Sequence, residues 1–174
     1  MRWFWACALS VVMADQAAKA WVRAALALSE SRPVVAGWLS WTHVQNTGAA
    51  WNILAGHRWL LVGLAALVIV AVASAARDLG ARSQRANIGL ALVLGGAIGN
   101  LTDRVAQGFV TDFVDLETPW RVVRDFPVWN VADAALTIGV TILAFDFLRP
   151  RAVRTPQANQ APAPLLSAEP EGIE

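Results

Sequence analysis

Residues 59–76, WLLVGLAALVIVAVASAA, run for eighteen positions without a charge. As a helix that stretch is about 27 Å long, which is close to the apolar thickness of a bilayer and longer than most core helices need. Residues 86–102 form a second run of seventeen positions in which only Asn87 and Asn100 are strongly polar. A third runs over 129–147, with Asp133 near its start. Each is read as a membrane span. The 174-residue chain has room for one domain, and its 56% hydrophobic residues, 16% charged residues and mean hydropathy of +0.46 fit a membrane protein better than a soluble one.

The first apolar run admits two readings. Residues 3–14 follow Met1 and Arg2 and are apolar for twelve positions, and AKA at 18–20 offers a cleavage site, as in a secretory signal peptide. In the other reading the helix is retained: apolar character resumes after Asp15 and Lys19 and continues to Leu28, and those two charges, four apart, share one helical face. The retained helix is the expected one, and it gives four spans. Arg77, Arg82 and Arg85 lie in the loop RDLGARSQRA, and Arg149, Arg151 and Arg154 follow the last span. The positive-inside rule puts both groups and both termini in the cytoplasm. Residues 29–58 and 107–128 then face outward. Both contain β-like stretches, RPVVAGWLSWTHV and GFVTDFVDL, expected to form a small platform on the membrane surface. The expected fold is an all-α membrane protein of four transmembrane helices with a small extracytoplasmic β element. Residues 1–149 form the membrane domain, and 150–174, rich in Pro, Ala and Gln, form a disordered cytoplasmic tail. With nine Trp and no Tyr, interfacial anchoring falls to Trp3, Trp5, Trp21, Trp59 and Trp129 near the ends of the apolar runs. A net charge of +1 with dispersed basic residues excludes a nucleic-acid footprint.

Under this topology Asp15, Lys19, Asn46, Asn100, Asp103, Arg104, Asp112, Asn130 and Asp133 all fall near the outer boundary. Taken singly, each has a bland explanation: Asp15 and Lys19 as an ion pair within a span, Asp103 and Arg104 as its end at the headgroups. Gly95 and Gly99, in small-xxx-small spacing, suit a close helix-packing face. Asn130 reads as the N-cap of the last helix with Asp133 at its third position, so Asp133 is either a capping aspartate or a working carboxylate tuned by the helix terminus. Asp112, in FVTDFV, has no such cap geometry. If Asp112 and Asp133 meet, two carboxylates sharing a proton can activate water and protonate a leaving nitrogen. Cys7 has no partner cysteine, and His43 and His57 lie fourteen apart in one loop without HExxH spacing, so neither a disulfide nor a metal is expected.

Five blocks, DQAAK (15–19), NTGAAW (46–51), GGAIGNLTDR (95–104), VTDF (110–113) and FPVWNVAD (126–133), together resemble the lipoprotein signal peptidases, the bacterial signal peptidase II family. The resemblance implies an intramembrane aspartyl protease of the bacterial inner membrane, without cofactor and acting as a monomer among membrane lipids. It would cleave prolipoproteins just before their diacylglyceryl-modified cysteine. It implies Asp112 and Asp133 as the catalytic pair, with Asp15, Lys19, Asn46, Gly48, Asn100, Asp103, Arg104 and Asn130 as the polar shell. Asp103 would hold Arg104 or that shell, and Asp115, matching no motif position, would be a solvated loop residue. Trp51 and Trp129 stand where the family usually has Phe, and LETPWRVVRD (116–125) lengthens the segment between the last two blocks. The rival classes are a small ion or proton transporter, in which Asp15, Lys19, Asp112 and Asp133 relay ions, and a structural membrane subunit.

Overall fold

The computed structural model describes residues 2–120, 123 and 125–149, so the predicted tail lies outside the described residues. Helix α1, Arg2–Ala25, is one unbroken helix that carries Asp15 and Lys19 in its second half. It is followed by strands β1, Ser31–Val35, and β2, Leu39–Asn46, and by a short 3-10 turn, Ala50–Asn52. Helices α2, Arg58–Arg82, and α3, Gln84–Ala106, form a tight hairpin, and β3, Val110–Asp115, precedes α4, Val131–Leu148. Among the described residues, three helical segments are long and apolar enough to cross a membrane: Arg58–Gly80, Gln84–Ala106 and Val131–Leu148. α1 is as long but is polar in its second half.

The predicted ten-residue loop RDLGARSQRA is helical except for Ser83. Its Ala, Leu and Arg residues favour helix, so α2 continues through Arg82 and α3 restarts at once. Ser83 makes this possible: its Oγ accepts from Ala86 N (3.3 Å) as an N-cap and donates to Asp146 Oδ1 (2.9 Å), which ties the turn to the end of α4.

α3 lies at the centre, packed against α1, α2 and α4. Its small residues permit this, and they serve two neighbours rather than one. A Cβ on Gly95 would meet Ala8 O of α1 at 2.7 Å, and one on Gly96 would meet Ala132 O of α4 at 2.5 Å. Gly99 lies between Asp15 and Ala132. Phe4, Ala8, Leu90, Ala91 and Leu94 fill the space between α1 and α3. The outward faces of α2 (Leu60, Leu67, Val70) and α4 (Ile138, Val140, Phe145, Phe147) are exposed and apolar, as lipid contact requires.

The three strands form an antiparallel sheet in the order β1-β2-β3, with Val44 opposite Asp112 and Asn46 opposite Val110. The sheet sits on the end of α1, where Val22 and Leu26 pack with Phe113, Val114, Trp41 and Trp129. His43 is not a loop residue as predicted: it belongs to β2, is buried, and places Nδ1 3.0 Å from Leu26 O. Asp115 is likewise no solvated loop residue. It ends β3 opposite Ser40 and accepts a hydrogen bond from Thr42 Oγ1 (2.8 Å), because the strand runs two residues beyond the VTDF block.

Candidate active site

Five elements deliver polar side chains to one end of the helices. α1 brings Asp15 and Lys19, α3 brings Asn100, Asp103 and Arg104, β2 and its following turn bring Asn46 and Gly48, β3 brings Asp112, and Asn130 and Asp133 open α4. All ten join one hydrogen-bonded network.

Its base is Lys19, fully buried, whose Nζ lies 2.8 Å from Asp15 Oδ2, 3.1 Å from Asp103 Oδ2 and 2.9 Å from Asn100 Oδ1. Three acceptors use all three ammonium protons, as a buried lysine needs. The carboxylates extend the connection to other elements. Asp15 Oδ1 accepts from Ala132 N (2.9 Å), a first-turn donor of α4 that has no partner within the helix, and Asp103 Oδ2 accepts from Thr111 N (3.1 Å) just before Asp112. Of the two predicted partners for Asp103, Arg104 and the shell, the structure assigns it the shell.

Above this base lie Asp112 and Asp133. Asp112 Oδ2 accepts from Asn46 Nδ2 (2.9 Å) and its Oδ1 from Asn130 Nδ2 (2.6 Å). Asp133 Oδ1 accepts from Asn100 Nδ2 (2.8 Å), while its Oδ2 faces the Asn130 backbone N–H at 3.3 Å. Asn130 Oδ1 in turn accepts from Asp133 N (3.0 Å), completing the predicted capping box. Asp133 is thus both a capping residue and a member of the site, each role using a different oxygen. The cap is held against β3 by Val114 N to Trp129 O (2.7 Å) and Trp129 N to Val114 O (3.1 Å), so the two carboxylates, from separate elements, keep fixed positions. Asp112 and Asp133, with Asn100 and Arg104, line a cavity of about 660 Å³ whose remaining wall is mostly apolar, including Leu61, Leu64 and Val68 of α2. Burial, reinforced by the nearby charge of Asp133, pushes the Asp112 carboxyl up to about 7, against the opposing hydrogen bonds from Asn46 and Asn130.

Arg104 Nη2 donates to Gly48 O (2.7 Å), and Gly48 N donates to Asn46 Oδ1 (2.9 Å), so the turn after β2 is anchored to α3 and to the partner of Asp112. A Cβ at Gly48 would lie 2.7 Å from Ile53 O and 2.8 Å from Asn52 C, both backbone atoms. Gly48→Ala is therefore expected to displace the turn at a cost of about 1–3 kcal/mol. Asn46 moves with it, so activity should fall more steeply than thermal stability. Unchanged activity in the purified variant would contradict this placement. The same turn holds Trp51, Asn52 and Leu54 at left-handed φ of 51°, 59° and 61°, and Trp51 meets Phe126 edge to face at 5.9 Å beside the cavity.

Gln16 and Thr111 belong to the network although sequence reasoning gave them no role. Gln16 Nε2 donates to Asp103 Oδ1 (3.1 Å) and Gly99 O (3.1 Å), and the Thr111 hydroxyl accepts from Arg23 Nη1 (3.1 Å). Gln16 stands beside Asp15 and three positions before Lys19, a helical spacing that could have revealed it. The Arg23–Thr111 contact crosses the chain and left no local signal.

These features define a membrane protein with a polar site gathered at one end of its helices. The profile of the Signal peptidase (SPase) II family matches residues 7–149. A lipoprotein signal peptidase of Pseudomonas putida is 38% identical over 160 residues, covering 90% of this chain and 92% of that one. Another, of Moorella thermoacetica, is 40% identical over 143 residues, covering 82% and 91%. A solved structure, described as a bacterial membrane enzyme determined in meso at 2.3 Å resolution, superposes with a TM-score of 0.80 at 28% identity, over 88% of this chain and 96% of its own. The chain belongs to the signal peptidase II family, the peptidases that remove signal peptides from prolipoproteins.

Proposed function

We propose that the chain is an aspartyl endopeptidase that crosses the bacterial inner membrane four times and cleaves prolipoproteins immediately before their diacylglyceryl-modified cysteine. Asp112 and Asp133 are its catalytic pair, and Asp15, Lys19, Asn46, Gly48, Asn100, Asp103, Arg104 and Asn130 position them. α1 is retained as the first span, both termini are cytoplasmic, and residues 1–149 form the catalytic unit, which acts as a monomer without a cofactor. The observation that carries this reading is that two carboxylates from separate elements line one cavity and are cross-braced by Asn130 and Asn100. Burial of Asp15 and Lys19 within that network supports retention of α1, because cleavage after it would remove the network's base.

The chemistry needs one carboxylate ionised and one protonated. The ionised carboxylate takes a proton from a water molecule as the water oxygen bonds to the scissile carbonyl carbon, and the protonated one gives its proton to the carbonyl oxygen. Collapse of the tetrahedral intermediate breaks the C–N bond, and the nitrogen of the modified cysteine leaves with a proton returned from the pair. A substrate held by acyl chains in the outer leaflet presents this bond near the membrane boundary, where water can reach it. The apolar cavity wall suits the signal peptide. A transporter is disfavoured because the ten network residues occupy one end of the helices, whereas a conduit needs polar groups through the full thickness.

Activity should follow a bell-shaped pH profile. Below it both carboxylates are protonated and none can take the proton from water; above it both are ionised and none can return one. Since burial raises Asp112 to about 7, the alkaline limb of kcat/KM should fall in that region. Exhaustive chelation should leave cleavage intact, and a loss restored by a single divalent metal would contradict the aspartyl mechanism.

A further inference from the structure

Residues 116–120, the start of the lengthened segment after β3, have a place in the structure that the proposed chemistry does not use. β1 and β2 are joined by a tight turn, with Trp38 N donating to Val35 O (2.9 Å) and Gly37 at φ 72°. Such tips are normally polar. This one exposes Val34 (46%), Val35 (52%) and Trp38 (47%). The segment 116–120 is bound to it: Glu117 N donates to Trp38 O (3.1 Å), and Trp120, 63% exposed, packs edge to face on Trp38 at 5.4 Å. Two tryptophans in edge-to-face contact, exposed beside two valines, form an apolar patch that no other described residue covers.

Chain connectivity says what covers it. Five residues separate the end of α1 from β1, and three separate the end of α3 from β3. At about 3.5 Å per residue the sheet cannot lie more than roughly 20 Å from either helix end. Trp21, on the last turns of α1 and half exposed, packs edge to face on Trp41 of β2 at 6.2 Å, so the exposed aromatic surface of the helix continues onto the sheet. Indole rings, apolar with one N–H donor, favour the headgroup region of a bilayer.

We propose that Trp38, Trp120, Val34 and Val35 form an interfacial anchor that rests in the headgroup region of the lipid bilayer and holds the sheet, and with it Asp112, at a fixed depth. The inference rests on the helices being membrane-embedded and is independent of which side they face and of the aspartyl chemistry. Its test is depth measurement on the full chain in phosphatidylcholine vesicles, with spin labels at Trp38→Cys and Trp120→Cys in a Cys7→Ser background. Leu67→Cys, on the exposed face of α2, serves as the lipid reference. Relaxation by oxygen relative to a water-soluble nickel chelate should place both labels between bulk water and the Leu67→Cys reference. Val35→Cys gives the same reading if a tryptophan replacement fails to fold. Nickel accessibility at either site equal to that of a label free in solution would overturn the anchor. So would a label that is aqueous alone and becomes protected only when prolipoprotein is added, which would make the patch a substrate-docking surface. Loss of activity in the Asp112 variants or its persistence has no bearing on these readings.

Discussion

Asp112→Asn and Asp133→Asn are each expected to reduce cleavage of a diacylglyceryl-modified prolipoprotein by about 10³-fold or more while the protein remains folded and inserted. An amide keeps the shape and can still accept from Asn46, Asn130 or Asn100, but it can neither take a proton from water nor return one. The double variant should be no worse than either single one, since the two act as a unit. Asp115→Asn is the internal control. It lies three residues from Asp112, accepts from Thr42 and lies outside the cavity, so activity should be nearly unchanged. An Asp115→Asn variant as inactive as Asp112→Asn would remove the distinction on which the assignment depends.

The largest effect on stability is expected from Lys19→Met. Methionine keeps much of the apolar stem but leaves Asp15 and Asp103 buried without their common cation, a loss of about 3–5 kcal/mol. The variant should show a markedly lower midpoint of thermal unfolding in detergent, with poor accumulation in the membrane. Adding Asp15→Asn removes one of the stranded charges and should restore part of the loss, so the two changes should be non-additive. A Lys19→Met protein as stable as the parent would show that the ammonium does not hold the helices together.

Much of the framework was legible because membrane burial writes itself in long apolar runs. The spans at 59–76 and 86–102, the cap at Asn130 and the packing role of Gly95 and Gly99 follow from local patterns, and the structure contains each as a helix, a capping box and a close contact. Loop boundaries were less legible. Arg77 to Arg82 carry charges that suggest a loop but also helix-forming side chains, and helix continues to Ser83. His43 and Asp115 look like loop residues in sequence, yet the sheet claims both: Asp115 pairs with Ser40, about seventy positions away, and His43 exchanges backbone hydrogen bonds with Ser29 and Glu30. The topology gathered nine of the site residues at one boundary, and the motif resemblance added Gly48 and the division of roles. Their spacing alone could not have shown that Lys19 serves Asp15, Asp103 and Asn100 at once, or that Asn130 binds Asp112 while capping its own helix, because these contacts depend on how four helices and a sheet converge.

The most direct test is to incubate the purified chain with a diacylglyceryl-modified prolipoprotein, beside its Asp112→Asn variant, and to read the products by mass spectrometry. The parent should yield one new N-terminus, at the lipid-modified cysteine, and no cut in the same substrate lacking the lipid, while the variant should leave the precursor intact. Cleavage at another bond, equal cleavage of the unmodified precursor, or processing by well-inserted Asp112→Asn at near the parental rate would contradict an aspartyl endopeptidase built on Asp112 and Asp133.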